Sequence, residues 1–217
     1  MPVPDHARSE VVFKIVYAGA EGAGKTTSLA GVHGLLGTAC EPAVGTETGS
    51  DHTIAFGYRP ARPLLVRGLS ARFQMLTVPG PVHYAATWQL ALRGADGIVF
   101  VVDSDPSRKA ANATALRATL KALQRNRSSL ADIPLVFQFN KRDIPAPVPV
   151  AELDALLNVL EPKAPVIQSC AERGDGLLAT LESLSRAMLA RFGGEEVSRG
   201  GGAPTPRPAT GSLAAAS

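Results

Sequence analysis

Residues 19–27 read GAEGAGKTT and follow directly on the apolar run VVFKIVYA at 11–18. Gly19, Gly24, Lys25 and Thr26 fall at the spacing G-x-x-x-x-G-K-[ST]. Glycines let successive backbone N–H groups turn inward without side-chain clash, and such a nest suits phosphate oxygens. A helix starting near Lys25 adds its positive dipole end. A plain strand-to-helix turn would explain the glycines, but it would leave a lysine at a helix start, where positive charge is disfavoured. The expected phosphate-binding set is therefore Gly19, Ala20, Glu21, Gly22, Ala23, Gly24, Lys25, Thr26 and Thr27, with Lys25 spanning the outer phosphates and the Thr26 hydroxyl on Mg²⁺.

The remainder of the chain supplies a scaffold for that loop. VVFKIVYA (11–18), ARFQMLTV (71–78), GIVFVVD (97–103), PLVFQFN (134–140) and APVIQS (164–169) read as strands. Helical patterns fall at 25–37, 82–94, 107–126, 150–160 and 176–192, the last with an apolar stripe through Leu177, Leu178, Leu181, Leu184, Met188 and Leu189 that should face the sheet. DHTIAFGY and PLLVRG, either side of RPAR, read as an edge strand or hairpin. Apolar strands alternating with helices mean a largely parallel α/β sheet covered on both faces. Ligands of such sheets bind beyond the carboxyl ends of the strands. GAEGAGKT, TVPG, DSD, NKRD and SCAERG each sit just past an apolar run, so the polar segments converge on one rim.

Asn140-Lys141-Arg142-Asp143 follows a buried-looking strand. An aspartate carboxylate can accept from both the ring N–H and the exocyclic amine of guanine. Adenine would leave one carboxylate oxygen desolvated and unpaired. Asp143 is the expected base reader, Asn140 a brace, and the Lys141 stem a cover for the base. Ser169, Cys170 and Ala171 follow the last strand, and the Ala171 N–H is placed to meet the guanine carbonyl. An ATP-using P-loop kinase is the rival reading; it calls for a lid of phosphate-clamping arginines and no base-reading NKxD.

Composition sets the bounds. The chain has 217 residues, 45% hydrophobic and 19% charged, with a net charge of +3 and no long basic block, which argues against nucleic acid as partner. Two cysteines, Cys40 and Cys170, make no disulfide framework and favour a reducing, cytoplasmic setting. No apolar run is long enough for a membrane span, and neither end offers a lipidation motif, so no direct membrane anchor is expected. Residues 1–10 read as a short N-terminal extension, 11–193 as the folded domain, and 194–217, rich in Gly, Pro and Ala, as a disordered tail.

These motifs together resemble the small Ras-type GTPases, and within them the bacterial gliding-motility MglA group. KIVYAG, TETGSDHT, ARFQMLTVPGPVHY, LRGADGIVFVVDS and LVFQFNKRDIP carry the likeness, which spans roughly residues 11–193. The resemblance implies a P-loop small G domain with a mostly parallel six-stranded sheet, one edge strand antiparallel, flanked by helices on both faces. It implies GTP and GDP as ligands with Mg²⁺, a roadblock-type regulatory protein, effectors at the switch regions, and a role in cell polarity or motility. Thr53 matches the first-switch threonine that reaches Mg²⁺ and the terminal phosphate, Gly80 the glycine whose amide senses that phosphate, and Thr77 the position near the metal. Two positions depart from the family: Pro81 stands where the water-positioning glutamine is usual, and His52 where the catalytic arginine is usual. A catalytic arginine is worth about 10³–10⁵ in rate. The expectation is a switch that hydrolyses GTP slowly or only with a partner; the alternative is a GTP-binding interaction module with little hydrolysis. His83, Arg59, Arg62 and Arg67 are the replacement candidates; His33, Trp88 and Tyr84 read as packing or partner-contact residues, and Asp105 as a helix cap.

Overall fold

The computed structural model describes residues 2–48, 51–78, 85–126 and 133–196. Its centre is a parallel sheet of β2 (Glu10–Gly19), β6 (Leu69–Thr77), β7 (Gly97–Asp103), β8 (Leu135–Asn140) and β9 (Val166–Gln168), in the spatial order β6-β2-β7-β8-β9. Each residue of β7 and β8 is buried, as expected for strands covered on both faces. β4 (Asp51–Tyr58) runs antiparallel on β6, with Ala55 opposite Leu76 and Tyr58 opposite Phe73, and completes the six-stranded frame.

Helices α1 (Lys25–Leu36) and α5 (Leu177–Phe192) pack on one face and on each other. On the other face lie α2 (Ala85–Leu92) and α3 (Lys109–Arg125), with α4 (Val150–Leu157) beside α3. Gly97 leaves room for α5: a Cβ there would lie 2.6 Å from the Met188 sulfur. In α3 the buried residues Asn112, Ala115, Leu116, Thr119, Ala122 and Leu123 recur at helical spacing toward the sheet. A short 3₁₀ turn, Pro106–Arg108, precedes α3, and Asp105 caps it by accepting from the Ser107 N–H at 2.8 Å. α4 stops three residues earlier than the pattern suggests because Asn158 leaves the helix to exchange hydrogen bonds with the backbone of Ala164.

Four short strands extend the frame. β1 (Val3–Asp5) pairs antiparallel with the start of β2, so the expected N-terminal extension belongs partly to the sheet. β3 (Val44–Thr48), a stretch without apolar alternation, forms a hairpin with β4. β5 (Leu64–Val66) lies beside β6, and β10 (Gly194–Glu196) pairs with β5, which places the first residues of the expected tail in the sheet. Residues 197–217 lie outside the described set.

The aromatic core ties these pieces together. Phe73, 1% exposed, stacks on Phe13 at 5.7 Å and on Tyr58 at 6.1 Å, joining β6 to β2 and β4. Trp88 is 2% exposed, so of its two expected roles it takes the packing one. Phe73→Ala should lower unfolding stability by about 3–5 kcal/mol in urea titrations, the usual cost of emptying an aromatic site; a loss under about 1 kcal/mol would contradict this account of the core.

Candidate nucleotide site

Loops from the carboxyl ends of β2, β7, β8 and β9 meet on one rim, as the strand directions require. The glycine-rich loop leaves β2 at Gly19, whose φ is +145°; a Cβ there would lie 2.2 Å from the Val101 carbonyl oxygen. Gly24, at φ +93°, closes the loop and begins α1; a Cβ would lie 2.3 Å from Asn140 Nδ2. Neither position accepts a side chain.

Three side chains from three elements hold the carbonyls of this loop. Lys25 Nζ donates to the Ala20 oxygen at 2.8 Å, Asn140 Nδ2 to the Ala23 oxygen at 2.9 Å, and Arg108 Nη2 to the Glu21 oxygen. In a trans peptide the C=O and the following N–H point in opposite directions. Holding the carbonyls of Glu21 and Ala23 outward therefore turns the N–H groups of Gly22 and Gly24 the other way, into the loop. α1 starts with no side-chain cap and no acidic residue in its first turn. Its first N–H groups and the buried Lys25 ammonium form a donor set suited to an anion. Thr26 and Thr27 lie in that first turn, Thr27 exposed.

Asn140 is the junction of the base side. It is 2% exposed, and besides Ala23 its Oδ1 accepts from the Ala171 N–H at 2.9 Å and from Ser169 Oγ at 3.2 Å. Asn140 therefore ties the glycine-rich loop to the Ser169–Ala171 loop, which bears on another assignment. The Ala171 N–H, expected to meet a guanine carbonyl, is instead bonded to Asn140.

Asp143 opens onto a cleft of about 140 Å³ that Gly24, Thr27, Ile144 and Cys170 help to line. The Cys170 thiol, then its own backbone N–H and the charge of Arg173, hold its carboxyl below the ordinary aspartate value. Arg142 turns away and donates to the Val148 oxygen at 2.7 Å, bracing the loop after β8. Lys141 sits at φ +62° and pairs with Asp103, the last residue of β7 and a buried carboxylate, at 2.8 Å.

The expected switch residues separate into two groups. Thr53 lies in β4 opposite Thr46, and His52 takes the strand position opposite Glu47. Gly80, Pro81, His83 and Tyr84 lie outside the described residues. Thr77, expected near the metal, is 1% exposed and engaged with β4: its hydroxyl accepts from the Ile54 N–H at 3.0 Å and faces the Ile54 carbonyl at 3.5 Å. Arg59 pairs with Glu10 at 2.7 Å and Glu41 at 2.6 Å, at the opposite end of β2, about 30 Å from the phosphate loop for a ten-residue strand. Arg62 lines a groove beside α5, and Arg67 sits in the turn before β6. None of the three is placed to act on a bound phosphate. His33 packs edge-on to Phe56 and bonds the Glu41 oxygen, a structural role.

A glycine-walled anion cradle beyond β2 and a braced carboxylate beyond β8, two parallel strands with β7 between them, define a P-loop small GTPase. Residues 5–188 match the family described as Arf, the ADP-ribosylation factor family, and the chain belongs to it. It is 36% identical over 188 residues, 85% of this chain and 94% of the other, to the mutual gliding-motility protein MglA of Myxococcus xanthus. It is 34% identical over 131 residues, 60% of this chain and 58% of the other, to the small COPII coat GTPase SAR1 of Giardia intestinalis. The chain is an MglA-like small GTPase, a GTP-binding switch. Among the described residues no helix is long and apolar enough to cross a membrane, and both cysteines are free.

Two outcomes follow from this geometry. Asn140→Ala removes the donor to Ala23 and the acceptor for Ala171, and isothermal calorimetry should show GTP affinity reduced at least about tenfold. With the Asp143 carboxyl held below the ordinary value of about 3.9, its ionised form persists through the usual carboxylate range. The preference for GTP over xanthosine triphosphate, which depends on that ionised carboxylate, should therefore persist from pH 7 down through the usual carboxylate range and be lost only below it. Cys170→Ala should move that loss to higher pH.

Proposed function

We propose that this chain binds GTP and GDP with Mg²⁺ and acts as a switch whose hydrolysis is slow without a partner. The observation carrying the reading is the Asn140 junction, which ties the phosphate loop to the Ser169–Ala171 loop, where the Cys170 thiol meets Asp143. Gly19 to Thr27 hold the phosphates, with the Lys25 ammonium between the outer two. The metal would supply charge neutralisation on the outer phosphates, and the Thr26 and Thr53 hydroxyls are its assigned protein ligands. Thr77 is assigned to holding β4 instead. Asp143 reads the ring N–H and amine of guanine, Lys141 covers the base, and Ser169, Cys170 and Ala171 form the wall behind it, with the Cys170 thiol orienting Asp143.

The slow turnover rests on Pro81 and His52. A pyrrolidine ring can neither orient a water nor accept its proton, and an imidazole near pH 7 is neutral for much of the time. Gly80 is left as the amide that senses the terminal phosphate. The placement of Arg59, Arg62 and Arg67 away from the phosphate loop supports the same reading. A catalytic group supplied in trans, by a roadblock-type regulatory protein docking on the switch regions, would complete the site. The domain at 11–193, with β1 and β10 added to its sheet, would operate in the cytoplasm, and the name of the Myxococcus relative points to a role in directing cell movement or polarity. The second reading, a GTP-binding interaction module that hardly hydrolyses, is favoured by the same two residues.

Single-turnover assays separate these. The chain alone should convert bound GTP no faster than about 10⁻⁴ s⁻¹, the order of unassisted Ras. Pro81→Gln combined with His52→Arg should raise that rate at least about tenfold; no change would show that these positions do not limit turnover. For base selection, Asp143→Asn should weaken GTP and favour xanthosine triphosphate, since an amide donates where the carboxylate accepted. Unchanged preference, or efficient displacement of GTP by ATP, would remove the guanine assignment.

A further inference from the structure

Arg108 belongs to none of the sequence motifs, yet it reaches 87 residues back to the phosphate loop. It ends the 3₁₀ turn after β7, and its Nη2 donates to the Glu21 carbonyl while its Nε lies 3.8 Å from Asp103 Oδ2. Asp103 is 2% exposed, and a buried carboxylate requires compensation. Lys141 Nζ supplies it at 2.8 Å, together with the Asp105 N–H at 3.0 Å. A chain of contacts thus runs from the base-reading loop through Lys141, Asp103 and Arg108 to the outer turn of the phosphate loop.

We propose that Arg108 is a positioning residue that sets the Glu21–Gly22 peptide for the outer phosphates, with Asp103 holding it in place. This rests on the nucleotide reading given above. The peptide plane carries the mechanism: with the Glu21 oxygen drawn toward the guanidinium, the Gly22 N–H faces the cradle. Gly24 and Thr27 border the base cleft, whereas Glu21 and Gly22 border a neighbouring cleft of about 500 Å³ with Asp103, Asp105 and Arg108, Lys141 lining both. The phosphate nearest the base therefore meets the start of α1, and only the outer phosphates reach the peptide that Arg108 orients. Arg108 acts through the backbone and touches no substrate atom in this role.

The test compares GTP, GDP and GMP by calorimetry on the full chain with Mg²⁺. Arg108→Met, similar in length but without a donor, should weaken GTP and GDP about 10- to 100-fold, the range for a charge-assisted hydrogen bond. GMP binding should change less than about twofold. Arg108→Lys, which keeps one donor and the charge, should recover most of the lost affinity. GTP binding by the Met variant within twofold of the parent, an equal loss for GMP, or a Lys variant as weak as the Met variant would each overturn the assignment. A parent chain binding none of the three nucleotides would instead remove the nucleotide reading itself, a result distinct from any of these.

Discussion

The side-chain amide of Asn140 is the constraint on which the site depends. It is buried, and each polar atom of a buried amide must find partners or cost the protein its desolvation. Here the donor goes to the phosphate loop, 117 residues earlier, and the acceptor to the Ser169–Ala171 loop, about 30 residues later. One planar group therefore sets the spacing of three loops. The close approach this demands explains Gly24, since any side chain there would overlap the amide.

That arrangement separates the groups that hold a nucleotide from those at the family's catalytic positions. The holding groups follow β2, β7, β8 and β9, whose rigidity comes from packing within the sheet. Thr53 and His52 sit on the β3–β4 hairpin at the edge. β4 is fixed to the frame by its ladder on β6, by the Thr77–Ile54 hydrogen bond at one end, and by Arg59 with Glu10 and Glu41 at the other. Arg72 joins the last group by pairing with Glu41 at 2.6 Å. The position of the first-switch residues is thus a property of one edge strand's register, whereas the position of the phosphate loop is a property of the whole core.

What could be read from the amino-acid order follows the same division. The central strands were legible because burial on both faces makes them continuous apolar runs, and the loops were legible because each polar cluster followed such a run. β1, β3 and β10 were not, since Val-Pro-Asp, Val-Gly-Thr-Glu-Thr and Gly-Glu-Glu carry no period and become strands only through the neighbour they pair with. Side-chain choices were less visible still. The partner of the Ala171 N–H depended on which way one amide turned, and the engagement of Thr77 depended on the height at which β4 crosses β6. Arg108 gave no local signal, because an arginine in a surface turn looks the same whether or not a loop 87 residues away lies beneath it.

Pro81 and His52 are intelligible in this light. A substitution at Asn140, Gly24 or Gly19 would disturb a group with several buried partners, and the fold would resist it. His52, by contrast, lies on the β3–β4 hairpin at the sheet's edge, away from the central strands that fix the phosphate loop. Affinity and turnover can therefore drift apart in one chain: the first is enforced by the same contacts that stabilise the fold, the second, on the proposed reading, by residues outside that network. On the reading proposed above, proline and histidine at two catalytic positions beside an intact glycine-rich loop are the expected product of that asymmetry, with the missing charge left for a docking partner to provide.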